Sequence, residues 1–227
     1  FTGSVAGTVY NWSNTNTAIG LGTSGVGDIA SFITTNTTNA TISGTITATP
    51  VYTNAGLGCT GAATSFTIAV NPIPTVNAVA NQTICVGGST TLVTPTGFVP
   101  GTVYNWTSSN TAIGLAASGT GNIPSFVTTN TGNTPISSTI TITPTYTNGG
   151  VSCSGAPLTF TITVNPIPNV NSINNQVICN GSTTTGVTFT GSVAGTVYNW
   201  SNTNAAIGLG TSGVGDIASF VTTNTTN

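Results

Sequence analysis

The stretch TITITPTY, residues 139–146, alternates between the two kinds of side chain that a half-buried strand needs. Residues 140, 142, 144 and 146 are apolar or aromatic, and the four residues between them are threonines. LTFTITV, residues 158–164, has the same period of two, and threonine itself has a high β-propensity. No helical period occurs elsewhere in the chain, so we predict an all-β fold.

The chain repeats its own sequence. GTVYNWSNTNTAIGL at residues 7–21 returns as GTVYNWTSSNTAIGL from Gly101 and as GTVYNWSNTNAAIGL from Gly195, with a constant spacing (101 − 7 = 94 and 195 − 101 = 94). Residues 1–39 return as residues 189–227 with only two changes. A fixed period of this size indicates a tandem array of folded units.

We place the unit boundaries at NPIP, which occurs at residues 71–74 and again 94 residues later. Each proline fixes its own φ and keeps the preceding residue extended, so these joints should be short and stiff. We therefore predict three units. Residues 1–70 are the C-terminal part of a unit, 71–165 a complete unit, and 166–227 the N-terminal part of a unit, in a longer array.

The complete unit has the sequence profile of an immunoglobulin-like β-sandwich, with about seven short strands separated by Gly, Pro and Asn turns. A β-solenoid is the main alternative, but its coils repeat at a much shorter period. We expect strands near 75–79, 83–86, 89–94, 102–107, 123–129, 138–147 and 158–164. Aromatic residues at repeat-equivalent positions should form the core, and these are Trp12, Trp106, Trp200, Tyr104 and Tyr146.

Composition excludes several functions. The 227 residues contain no Lys, Arg or His, and the only acids are Asp28 and Asp216. Nucleic-acid binding and attachment to anionic lipid both require cationic side chains, so we expect neither. No apolar run is long enough for membrane insertion. Acid-base and nucleophilic catalysis lack their titratable groups, so we predict no enzyme activity, no cofactor and no metal site.

The four cysteines form two repeat-equivalent pairs of positions, Cys59 with Cys153 and Cys85 with Cys179. One rule bonds Cys85 to Cys153 within a unit, and we favour it as a structural disulfide. The other rule bonds across a joint, Cys59 to Cys85 and Cys153 to Cys179. Either bond would indicate an oxidising compartment.

VYNWTSSNTAIGLAASGTGNIPSF, then TITITPTYT, a cysteine and LTFTITVNPIP together resemble the PKD-like or Ig-like repeats of very large surface proteins in gliding bacteria. These proteins are exported by the type IX pathway and include gliding-motility adhesins. The resemblance covers essentially the whole chain. It implies an extracellular, cell-surface adhesin or its stalk, and it carries no catalytic or ligand residues.

Three functions follow as hypotheses. The first is a stalk that extends a binding tip from the cell surface, with neighbouring repeats as its contacts and any surface or glycan target bound by regions outside this segment. The second is a self-assembling filament of like chains, which uncharged strand edges would permit. The third is a repeated glycan-binding module in which tryptophans stack on sugars.

Overall fold

The computed structural model describes residues 1–225, so the last two residues of the third predicted unit lie outside it. The chain is nearly all-β, with several antiparallel sheets, as the threonine alternation predicts. The strands are β1 Val9–Asn14, β2 Ser24–Val26, β3 Ile42–Asn54, β4 Leu57–Thr60, β5 Thr64–Val70, β6 Gln82–Cys85, β7 Val103–Ser108, β8 Ser118–Thr120, β9 Ile136–Asn148, β10 Val151–Ser154, β11 Leu158–Asn165, β12 Asn199–Ser201 and β13 Ser212–Val214.

The second unit contains a six-stranded sheet in the order β6-β11-β9-β7-β8, in which β10 also pairs with β9. The long strand β9 is its centre, with β7 on one side and the β10 and β11 segments on the other. All pairs are antiparallel except β6 with β11. The parallel pair brings the start of the unit next to its last strand.

The core lies on the face of this sheet that the alternation predicts. Ile140 and Ile142 of β9 are fully buried, as are Ile162 and Val164 of β11 to within 1%. The intervening threonines point outward and are only partly covered. Apolar side chains of about this size each contribute roughly 1.5–3 kcal/mol when they leave water, so the burial of this face stabilises the unit.

A second layer covers the core, but it is less regular than predicted. The segments around 89–94 and 123–129 pair only through two isolated bridges, Ser89 with Val127 and Val93 with Ile123. Residues 75–79 form no strand. The prediction of regular strands in these three places is therefore wrong, although Val93 and Ile123 still pack onto the core. A sheet covered by this layer is consistent with a β-sandwich.

The repeated AIGL motif forms a short anchor for the core. A 3-10 turn spans Thr111–Ile113, and the side-chain oxygen of Asn110 accepts a hydrogen bond from the Ala112 N–H at its start. Gly114 ends the turn with φ of 100°, a left-handed conformation that suits glycine, and its position leaves no room for a side chain against the Val127 carbonyl. The turn places the Ile113 side chain in the core, where it is fully buried.

The first and third units repeat parts of this plan. In the first, β2-β1-β3-β4 form one path and β5 pairs with β3, in registers that match β8, β7, β9, β10 and β11. Within the described residues, β5 has no parallel neighbour corresponding to β6. In the described part of the third unit, residues 166–225, the β12–β13 hairpin is the one regular sheet.

Candidate functional site: the joint between units

The joint between the first and second units is closed by a hydrogen-bond network of uncharged side chains. The Asn71 amide donates to the carbonyls of Asn148 and Val151, at 3.1 and 3.3 Å. Thr41 donates to Asn71 Oδ1 at 2.8 Å, and the Asn148 amide donates to Thr41 Oγ1 at 3.0 Å. The network therefore connects the last strand of one unit to the β9–β10 hairpin of the next.

The linker at this joint is packed rather than exposed. Pro72 and Pro74 are both less than 2% exposed. The backbone of Gly155 lies against the linker so closely that an added Cβ would come within 1.8 Å of the Pro74 carbonyl oxygen. Backbone this close to proline leaves the linker little freedom to bend.

Tyr146 belongs to this joint and not to the core, which corrects its predicted role. Its hydroxyl lies 3.4 Å from Thr41 Oγ1 of the first unit, within hydrogen-bonding distance. It is absent from the buried cluster of the second unit and from the side chains packed against that cluster. Tyr52, the equivalent residue of the first unit, is 38% exposed, whereas Tyr146 is half-buried. The preceding unit therefore covers Tyr146.

The other aromatics predicted for the core differ in their burial and in their contact with the two core clusters. Trp106 is 4% exposed and belongs to the core of the second unit, with Tyr104 packed against the same cluster. Trp12 packs against the smaller core of the first unit, and Trp200 is half-buried. All three indole N–H groups are buried without a hydrogen-bond acceptor in residues 1–225. Burial raises the pKa of the Tyr104 hydroxyl above its ordinary value of 10.0, and a hydrogen bond with Thr102 opposes the shift.

Each tryptophan covers a glycine on the neighbouring strand. Trp106 is directly opposite Gly119 in the β7–β8 register, and a Cβ added there would lie 2.3 Å from the indole Cζ2. Trp12 with Gly25 and Trp200 with Gly213 repeat the arrangement. An aromatic ring that covers a cross-strand glycine protects backbone that would otherwise be open to water.

The two acids have a local structural contact. The Asp216 carboxylate accepts a hydrogen bond from the Phe189 backbone N–H at 2.9 Å. At the equivalent position of the first unit, the Asp28 carboxylate forms an ion pair with the terminal amino group of Phe1. The second unit has Pro95 at the position of these phenylalanines and Asn122 in place of the acid. Since proline has no N–H, the carboxylate occurs only where the backbone offers it a donor.

The predicted Cys85–Cys153 disulfide is not formed, and the topology separates its two ends. Cys85 pairs with Asn165 at the end of β11, next to the start of β9, whereas Cys153 pairs with Tyr146 near the other end of β9. A strand rises about 3.3 Å per residue, so these points are about 30 Å apart, whereas bonded cysteines require Cα atoms within about 7 Å. The alternative pairs are not formed either, because all four thiols are free.

A cleft of the first unit has a filled counterpart in the second unit. The cleft beside Tyr10, Pro50 and Gly61 of the first unit corresponds to the place where Tyr104, Pro144 and Gly155 of the second unit meet. There the space is filled by Pro74 and Thr75, whose carbonyls lie against Gly155 and Gly97. A complete unit thus closes this cleft with its own linker.

The chain matches no protein-family model, no curated protein and no solved structure. Within residues 1–225, no group of three or more His, Cys, Asp or Glu side chains could hold a metal ion. No helix in this described part is long and apolar enough to cross a membrane.

The two prolines of NPIP predict a stiff joint, but no signal in the sequence identifies the polar residues that close it. Asn71 and Asn148 return in register as Asn165 and Asn54, yet repeated asparagines are common in this chain and the pattern alone did not distinguish them. Thr41 is replaced by Pro135 in the second unit, so the signal is not uniform. Only the packing of one unit on the next identifies these three residues as contacts.

Proposed function

We propose that the chain is a structural stalk, a segment of an extracellular bacterial adhesin that holds a binding tip away from the cell surface. The observation that carries this proposal is the closed joint, in which the linker prolines are buried and Asn71 bonds to the hairpin of the next unit. Because such a joint resists bending, the length of the array increases in proportion to the number of its units. We further propose that each unit is an immunoglobulin-like sandwich, a proposal that the burial of Trp106 supports.

The surface chemistry favours a structural role in a variable external medium. With no Lys, Arg or His and only two acids, little on the surface responds to salt or to pH. The absence of Lys and Arg also removes every cleavage site of proteases that cut after these residues. The hydroxyl groups of the outward-facing threonines offer hydrogen bonds to water, so this face of the sheet needs no charged side chains to be hydrated.

Small-angle scattering and electron microscopy of the purified chain test the stalk. A thin, extended particle one unit wide is expected, with a maximum dimension close to the sum of its units. A compact particle would overturn the proposal, as would one whose scattering shows freely jointed units. Asn71→Ala combined with Asn148→Ala should broaden the distribution of inter-unit angles, whereas Asn54→Ala on the equivalent hairpin of the first unit is the matched control.

A second candidate function is a filament of laterally associated chains. The edge strand β8, Ser118–Thr120, has no charged side chain to discourage pairing with another edge, and Val103 on the neighbouring strand is 47% exposed. Electron microscopy of concentrated protein separates the two functions. Dispersed single chains in the micrographs support the stalk alone, whereas thicker filaments with helical order would establish self-assembly.

A further inference from the structure

We infer that consecutive units of the array are linked by a disulfide that neither of the two predicted pairings describes. It joins the cysteine that ends the first strand of one unit, at the position of Cys85 and Cys179, to the cysteine on the hairpin of the following unit, at the position of Cys59 and Cys153. The inference rests on the tandem array and does not depend on the proposed stalk function.

The first observation is a cleft at the joint that contains a free thiol. Cys153 lines it from the β10 side, and Thr34, Val70 and Asn71 line it from the first unit. Cys153 is half-buried there, whereas Cys59, on a hairpin with no unit before it in this sequence, is exposed. The preceding unit is therefore what covers Cys153.

The second observation is how the cysteine of the first strand is held in its own unit. Cys85 lies beside Asn165 in the parallel β6–β11 pair, and the Val86 N–H donates to the Asn165 carbonyl at 2.9 Å. Thr128 Oγ1 donates to the Cys85 carbonyl at 3.0 Å. The third unit repeats the threonine contact, since Thr222 donates to the Cys179 carbonyl at 2.8 Å.

The repeat relates these contacts to the cleft. Thr128 and Asn165, which hold Cys85, correspond to Thr34 and Asn71 of the first unit, and both of these line the cleft with Cys153. A first strand equivalent to β6, paired with the open edge of β5, would thus bring its cysteine into this cleft. The cysteine at the end of that strand would lie in this cleft, close to Cys153.

The direction of the side chain agrees with this placement. In-register neighbours of a parallel pair point to the same face of the sheet. The Asn71 side chain points to the hairpin of the second unit, where it donates to the Asn148 and Val151 carbonyls. A cysteine beside Asn71 therefore points toward the same hairpin, which carries Cys153 two residues after Val151.

Within residues 1–225 all four thiols are free, and none of them lies beside the partner proposed for it. The position opposite Cys85 would lie on the hairpin of the third unit, after residue 225, and the position opposite Cys153 would lie on a strand before Phe1. Formation of the bond joins the two sulfurs and breaks both S–H bonds. The two electrons and two protons pass to a disulfide oxidant such as oxidised glutathione, which is reduced to two thiols.

A lengthened chain tests the inference directly. Residues 189–227 repeat residues 1–39, so residues 40–227 can be appended after Asn227 without breaking the register. The third unit then gains a hairpin that carries a copy of Cys59, opposite Cys85, and the next joint brings a copy of Cys153 opposite Cys179. The protein is folded in oxidised and reduced glutathione, alkylated, digested with chymotrypsin and mapped without reduction.

Two cross-links are expected, Cys85 to the copy of Cys59 and Cys179 to the copy of Cys153. Each cysteine and its copy lie in identical peptides, so both cross-links must also form in a variant in which Cys59, Cys153 and the copies of Cys85 and Cys179 are replaced by serine. Cys85→Ser should abolish the first cross-link and leave the second intact, which controls for folding. In the 227-residue chain all four thiols should be alkylated. Alkylated Cys85 and Cys179 in the folded, lengthened chain would overturn the inference, and so would a Cys85–Cys153 bond.

The result is independent of the stalk. A cross-linked array that is compact in scattering would refute the stalk and leave the disulfide in place. An extended array with every thiol alkylated would refute the disulfide alone. Scattering from a lengthened chain with all cysteines replaced by serine shows how much of the extension the hydrogen-bonded joint maintains by itself.

Discussion

Replacing Gly119 with alanine should destabilise the second unit, because Trp106 occupies the space that the new methyl group needs. The added Cβ would lie 2.3 Å from the indole Cζ2 and 2.6 Å from Cε2. Ordinary contacts begin near 3.4 Å, so the ring must move by about 1 Å, and Trp106 is only 4% exposed. The backbone at Gly119 has no positive φ, so the effect is one of packing.

Overpacking of this kind costs about 1–3 kcal/mol. In a unit of about 95 residues each kcal/mol lowers the melting temperature by about 4–8 °C, so Gly119→Ala should lower it by roughly 4–24 °C. Differential scanning calorimetry and near-ultraviolet circular dichroism, which reports on the packing of tryptophan, measure the effect.

Gly132→Thr is the matched control. The first unit has Thr38 at this position, where its hydroxyl donates to Asn36 Oδ1 at 2.8 Å, and an added Cβ at Gly132 meets only Asn130 Oδ1 at 3.4 Å. Its melting temperature should stay near that of the unmodified chain. If the Gly119→Ala variant also melts near the temperature of the unmodified chain, Trp106 is not packed on this glycine. The reason for placing Trp106 in the core, and not on a surface that stacks on sugars, would then be lost.

Three further outcomes are expected. Ile142→Ala removes a fully buried side chain from the centre of the sheet and should lower the unfolding free energy by about 2–5 kcal/mol in urea titrations; a change below 1 kcal/mol would contradict the core described here. Gly155→Ala should loosen the joint, because its Cβ would collide with the Pro74 carbonyl, and the distribution of inter-unit distances from small-angle scattering should broaden. Gly61→Ala at the equivalent loop of the first unit should leave this distribution unchanged. The free energy of unfolding should change little between about pH 5 and 8, where few groups titrate. It should fall as the pH rises from about 10 through the raised pKa of Tyr104, because the folded state holds that proton more tightly than the unfolded state. Tyr104→Phe should reduce this loss of stability at alkaline pH, and an unchanged loss would refute the burial of the Tyr104 hydroxyl as its cause.

Much of the fold could be predicted because its signals are local. The alternation in TITITPTY predicts a strand with one buried face, and Ile140 and Ile142 are indeed buried. The irregular layer around 89–94 and 123–129 could not be predicted in the same way. Apolar residues there reach the core from segments that pair only at isolated bridges, and a period of two does not distinguish such segments from regular strands.

By itself the sequence determined the tandem repeat, the all-β character and the absence of charged chemistry, because each of these follows from residue identity and short-range periodicity. Only the tertiary structure decided that Tyr146 faces the preceding unit, that Asn71 closes the joint and that Cys85 lies at the opposite end of β9 from Cys153. These outcomes depend on which strand edges pair and on the direction of each strand, and such long-range choices leave no trace in the spacing of residues along the chain.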